Sequence, residues 1–291
     1  MEYFLRRRRQ WGNLVALACF WMSAILVMVL IVALLGWLVW SGASALSWSF
    51  LTSVPNETGA GGGIGPEIFN SFYLLFLTLF FTVPLALAVA LYLEEYAQPG
   101  IVASAIQLAA EALATVPSIV MGLFGLLVFV FVLRWRFSAL GGALTLTLLN
   151  LPTMMRMTQQ ALHAVPGSLR EASLALGATK WRTIIHVVIP GAIAPLTTGI
   201  VLIAGRIFGE TAALIYTAGV SVSNANPYDF GLFHPAETLS VHLWYTHAEG
   251  VAVDAQRIGS GSAVVLVAMV VIFNVLARLI GNFFRRRTSG R

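Results

Sequence analysis

Residues 14–40 carry no charged side chain and almost no polar one. A helix crossing the hydrocarbon core of a bilayer needs about 20 such residues. Comparable apolar stretches recur along the whole chain of 291 residues. Only 10% of the residues are charged and 58% are hydrophobic, whereas an ordinary soluble domain is about 25% charged. Too little polar surface remains to coat a soluble globule. Disorder is excluded as well, because low hydrophobicity is its hallmark.

The first stretch follows Arg6, Arg7, Arg8 and Arg9, and Ala43-Ser44-Ala45 offers a cleavage-like site. The apolar run is nevertheless about twice the core length of a signal peptide, so it reads as a retained transmembrane helix. The pattern predicts six spans, over residues 13–41, 68–93, 101–133, 139–162, 184–218 and 258–284, in an all-α polytopic membrane protein. Pro117, Pro190 and Pro195 predict kinks in the third and fifth. The basic residues set the orientation. With the N-terminus in the cytoplasm, Arg6–Arg9, Arg170, Lys180, Arg182 and Arg285–Arg287 fall inside. Arg134, Arg136 and Arg257 then fall outside. An even number of spans returns the C-terminus to the cytoplasm, and two long loops, 42–67 and 221–256, lie outside. Trp244 and Tyr245 in the second suit the membrane interface. The 17 basic residues against 12 acidic ones sit at the ends and in one internal segment rather than along a face, so no nucleic-acid partner is expected. Cys19 is the single cysteine and cannot form an internal disulfide.

Several chemistries are missing. No Gly-x-x-x-x-Gly-Lys-Ser/Thr loop occurs, and the sole lysine, Lys180, lies in a different pattern, so ATP hydrolysis by that route is not expected. His-Glu-x-x-His and Cys-x-x-Cys are absent. His234, His242, His247 and Glu249 cluster in the last outer loop without standard ligand spacing. They read as solvated loop residues, and no metal, cofactor or catalytic residue is expected.

The internal polar segment 165–181 predicts one short amphipathic helix. Pro166 favours a start, Ser168 and Glu171 have capping-box spacing, and Gly177 suits a stop. Leu169, Ala172 and Leu176 fall on one side, Arg170 and Ser173 on the other. The segment is either an interfacial turn between spans or a knob that docks into a soluble partner's groove. In the fifth span Arg206 and Glu210 stand four residues apart, on one helix face. An ionised residue at mid-membrane costs about 2.5–3.5 kcal/mol. The pair is therefore a structural ion pair, a substrate-pathway cation held by its carboxylate, or both. Gly199, Gly205 and Gly209 would admit a close helix neighbour. Glu111 lies nearer the cytoplasmic interface.

Glu171-Ala172-Ser173, three residues, Gly177, nine residues, and Val187-Val188-Ile189-Pro190 resemble the EAA loop of ABC importer permeases. The departures are Ser173, Val187 and Ile189, all small or apolar exchanges. In that family the loop contacts the ATPase, and the resemblance carries this role to Glu171, Ala172 and Gly177. Four further segments resemble the phosphate importer permeases of the PstA type. They are Pro55-Asn56 with the following glycines, Tyr92-Leu93-Glu94-Glu95-Tyr96-Ala97, residues 116–125, and Arg206-Ile207-Phe208-Gly209-Glu210-Thr211-Ala212. Ala213 stands where a proline is more usual, removing the residue that would break the helix there. The resemblance implies a type-1 ABC importer permease fold with the transmembrane domain at 69–281. Residues 1–68 would form the N-terminus, first span and outer loop, and 282–291 a basic cytoplasmic tail.

The implied function is the permease subunit of an ATP-driven phosphate importer in the bacterial inner membrane, with no enzymatic activity of its own. The implied partners are a second homologous permease (PstC type), an ATPase dimer (PstB type) and an extracytoplasmic phosphate-binding protein (PstS type). Arg206 and Glu210 would belong to the substrate pathway. Two alternatives stay open: an ABC permease for another oxyanion such as molybdate, sulfate or phosphonate, and a proton-coupled secondary transporter using Glu111 or Glu210.

Overall fold

A computed structural model describes residues 2–56, 61–222, 226–248 and 254–288. Every regular element among them is helical. The chain begins with α1 (Glu2–Gly42) and a short α2 (Trp48–Thr52). Next come α3 (Gly65–Leu91), α4 (Ile101–Thr115), α5 (Ser118–Gly125) and α6 (Ala139–His163). Then follow α7 (Gly167–Ala175), α8 (Lys180–Thr183), α9 (Ile189–Gly209) and α10 (Ala212–Ile215). The last two are α11 (Leu239–Ala248) and α12 (Ala255–Thr288). Wider π-helical turns extend α3 through Tyr92–Tyr96 and α5 through Leu126–Val132, and join α8 to α9 through Ile184–Val188.

Four helical stretches are long and apolar enough to cross a membrane: Asn13–Ala45, Gly65–Tyr96, Lys180–Gly209 and Ala255–Leu279. Ile101–Thr115 and Ser118–Val132 make a fifth only if counted together, and they meet at 103°. The third span, expected to kink at Pro117, is instead two arms broken at Val116-Pro117. Proline disfavours helix in the residue before it, and Val116 is extended at ψ 125°. The fifth expected span also stops early, at Gly209.

Helix α6 occupies the expected fourth span but is less apolar than the others. It is the helix the rest surround, packing along α3 and α9 and touching α4 and α5. Polar side chains are tolerated there because each bonds back to its own helix. Thr145, Thr147 and Thr158 donate to the carbonyls four residues earlier at 2.7–2.8 Å, and Asn150 Nδ2 donates to Leu146 O at 2.8 Å. Small residues then bring the helices close. A Cβ on Gly125 would collide with Thr145, and one on Gly122 would lie 2.8 Å from Ala213 Cα. Of the three glycines expected to admit a neighbour, Gly199 does most closely, against Met157 at 3.2 Å; Gly205 faces Asn274 of α12 at 3.7 Å, and Gly209 has open space.

Helix α1 stands outside this bundle. None of its most apolar stretch is buried. It meets the rest near its C-terminal end, where Gly42 packs on the Ser260 backbone of α12.

The bundle therefore has two ends. One gathers α2, the start of α3, α10, α11 and the start of α12, tied by Leu239 N–H to Ser71 Oγ and Tyr228 Oη–H to Thr52 O, both 2.9 Å. The other gathers the ends of α3 and α6 with α7 and α8.

Candidate functional site

The polar segment between α6 and α9 folds as α7, a turn and α8. Ser168 makes no cap, since Pro166 occupies that position and its ring carries no acceptor. Gly177 does end the helix, at φ +84°. Its N–H bonds Leu174 O at 2.9 Å and the next N–H bonds Ser173 O at 3.2 Å. A side chain there would meet nothing within 4 Å; glycine is required by conformation rather than by space.

The polar side of α7 faces the protein. Arg170 Nε donates to Glu95 Oε1 at 3.1 Å, Nη1 to Val165 O at 2.6 Å and Nη2 to Leu162 O at 2.7 Å. One guanidinium thus ties α7 to the end of α6 and to the π turn after α3. The C-terminal carbonyls of α6 carry the negative end of its dipole, which suits a cation. Ser173 Oγ and Thr183 Oγ1 share a hydrogen bond of 2.9 Å across α7 and α8. Lys180 Nζ donates to Glu95 O and sits 4.9 Å from the centre of the Tyr96 ring.

The apolar side of α7 is left outside. Leu169 is about half exposed, Leu176 at the helix end is 90% exposed and nearby Trp181 is 60% exposed. No residue of α7 is buried. Glu171, Ala172 and Gly177 all lie on this exposed element. This inverts a normal surface helix, whose apolar stripe turns inward. The arrangement presents a rigidly anchored apolar knob. Sequence reasoning singled out Tyr92–Ala97 as a motif but missed that Glu95 and Tyr96 are the anchor for Arg170 and Lys180.

The second candidate site is the break after α9. Glu210 is not on the helix face of Arg206: it is extended at ψ 123°, just beyond the helix end. Its carboxylate accepts the Ala213 N–H at 3.3 Å and caps α10, while its carbonyl accepts Ser240 Oγ–H at 2.8 Å. The break that a proline would impose thus occurs without one. Among the described residues no ion pair joins Arg206 to Glu210, and the Arg206 side chain is exposed. Glu111 pairs with Arg156 of α6 at 3.3 Å, with both side chains more than half exposed.

Of the loop histidines expected to be solvated, His234 and His247 are exposed and His242 is not. His234 hydrogen-bonds Asp229, which with the Gly231 N–H holds that carboxyl below the usual carboxylate range. His247 bonds its own helix at Leu243 O, and Glu249 lies outside the described residues. His242 is buried beside two carboxylates instead of being solvated.

Solved structures share the fold. A chain of a bacterial alginate ABC transporter, crystallised with an alginate-pentasaccharide-bound periplasmic protein, aligns at TM-score 0.66 and 16% identity, covering 96% of both chains. A chain of the inward-facing MetNI methionine ABC transporter aligns at 0.59 and 19% identity, over 75% of this chain and 94% of that one. Residues 82–290 match the family described as binding-protein-dependent transport system inner membrane component, and the chain belongs to it. A probable ABC transporter permease protein, YqgI of Bacillus subtilis (strain 168), is 41% identical over 283 residues, 94% of this chain and 96% of that protein. The phosphate transport system permease protein PstA of Yersinia pestis is 32% identical over 252 residues, 84% of this chain and 83% of that one.

Proposed function

We propose that this ABC importer permease subunit carries inorganic phosphate. It would form one half of a pathway completed by a second homologous permease, driven by an ATPase dimer and fed by an extracytoplasmic binding protein. The observation that carries the pathway reading is the state of Arg206. It is an exposed cation on a membrane-crossing helix, with no carboxylate in ion-pair distance among the described residues. Facing lipid it would cost about 2.5–3.5 kcal/mol. Facing a water-filled path between two permeases it would be solvated and would attract an anion. Guanidinium presents paired donors matched to phosphate oxygens, and the PstA-type relatives support that anion. Glu210 acts by shaping the break that exposes Arg206 rather than by neutralising it.

Orientation follows from charge. Arg170, Lys180 and Arg182 lie at the α7 end, while Arg134, Arg136 and Arg257 lie at the other, which supports a cytoplasmic α7 and cytoplasmic termini. Helix α6, screened by its neighbours, would be the remaining crossing of a six-span topology. The transmembrane domain would run over 69–281. The α7 knob, with Glu171, Ala172 and Gly177, would then seat in the ATPase subunit.

The test is uptake of labelled phosphate with membrane insertion confirmed. Arg206→Gln is expected to lower uptake at least tenfold, and Arg206→Lys to retain part of it, because lysine keeps the charge but loses the fork. Excess sulfate or molybdate should leave wild-type uptake unchanged. Wild-type uptake in Arg206→Gln removes the pathway role; competition by another oxyanion reassigns the substrate.

A further inference from the structure

One group of metal-ligating side chains closes on a single point among the described residues: Glu67, Glu237 and His242. Glu67 stands on the first turn of α3, and Glu237 and His242 flank the start of α11. They are 0%, 3% and 8% exposed. One ligand atom from each lies within 4.8 Å of the other two. His242 Nδ1 is 3.1 Å from Glu237 Oε1 and 3.9 Å from Glu67 Oε1. Both Glu67 carboxylate oxygens are sealed from solvent, and neither accepts a hydrogen bond from any described residue.

That last point demands an explanation. A buried carboxylate needs a hydrogen-bond donor, a counter-charge or a proton. The surrounding polar groups are already committed to holding the backbone. Ser71 Oγ donates to Glu67 O at 2.7 Å and accepts Leu239 N–H at 2.9 Å, and Asn70 Nδ2 donates to Glu237 O at 3.0 Å. A single imidazolium would bring one positive charge against two carboxylates. A divalent ion balances both. Its identity follows from the donors: two carboxylates and an imidazole suit zinc-like transition metals, whereas calcium and magnesium favour all-oxygen shells. A tetrahedral zinc with bonds of about 2.0–2.2 Å spaces its ligand atoms about 3.4 Å apart, between the two distances observed.

We propose that Glu67, Glu237 and His242 bind a divalent transition-metal ion of the zinc class, clamping the start of α11 onto the start of α3. The site is independent of the transported anion. It lies at the end of the bundle opposite α7, and Ser240, in the first turn of α11, carries the bond to Glu210 O. The clamp thereby braces the loop end against the break that displays Arg206.

The experiment is zinc binding by the untagged full-length chain, purified with its partner permease and stripped by chelator. Equilibrium dialysis against Zn2+ with elemental analysis is expected to give one zinc per chain in the wild type. Glu67→Gln and His242→Ala should weaken binding at least 100-fold, since even outer-shell partners of a metal are worth about 10–100-fold. Zinc uptake no greater in wild type than in Glu67→Gln overturns the proposal and assigns a proton to Glu67. Should the variants fail to fold, the stripped wild type decides. Its melting temperature is expected to rise with Zn2+ and not with Mg2+, and an unchanged melting temperature overturns the site.

Discussion

Leu176→Glu combined with Leu169→Glu is expected to abolish retention of the ATPase subunit while leaving the membrane domain folded. Both side chains are exposed, at 90% and 49%, so neither contributes to the permease core. In the docked complex each would be buried in a groove of the partner. Burying a leucine is worth about 1.5–3 kcal/mol, and a carboxylate forced into the same pocket carries a desolvation cost. Co-purification should fall at least 100-fold, with phosphate uptake lost in parallel. Undiminished ATPase retention would show that the apolar face of α7 serves something else. Gly177 should be sensitive by a different route. Any side chain there must adopt a left-handed backbone, which costs about 1–2 kcal/mol, although nothing lies in its way.

Arg170→Ala should separate docking from transmission. The substitution deletes every bond from this guanidinium to Glu95, Leu162 and Val165, and strands a Glu95 side chain that is only 11% exposed. Charge-assisted bonds are worth about 1.5–3 kcal/mol. Removing one partner of a part-buried pair adds the cost of the charge left behind. We expect α7 to lose about 2–4 kcal/mol of anchorage. The apolar knob survives, so ATPase association should fall only a few-fold. Uptake should fall at least tenfold while ATP hydrolysis continues, because the knob then moves without moving α6. Equal losses of association and uptake would show that Arg170 only holds the knob in shape.

The contrast between these two variants marks what the sequence disclosed. The spacing from Glu171 through Gly177 to Pro190 located helix α7, and Gly177 ends it as expected. The direction of its faces was not legible. Amphipathic periodicity gives two sides but not which one turns inward, and here the polar side does because Glu95 and the end of α6 supply acceptors from elsewhere in the chain. Arg206 and Glu210 show the same gap. Four-residue spacing predicts a shared face only while the helix continues, and this helix ends between them. Val116-Pro117 announced a kink, but not a turn of 103°. Glu67 gave no signal at all, since its partners His242 and Glu237 meet it only through the packing of α11 on α3. What composition fixes well is the apolar length of α1, α3, α9 and α12. What it handles poorly is α6, whose threonines and asparagine satisfy themselves within the helix and so disguise a central element as a polar one.

The most direct measurement of the coupling claim places one reactive thiol on the knob. The natural Cys19 is exposed on α1, so Leu176→Cys is made together with Cys19→Ser. A short bifunctional cross-linker applied to inverted membrane vesicles is expected to join position 176 to the ATPase subunit, with a yield that changes when ATP is added. Labelling of that thiol in intact cells by a membrane-impermeant reagent, with no cross-link to the ATPase, would place α7 on the outer side and contradict the account.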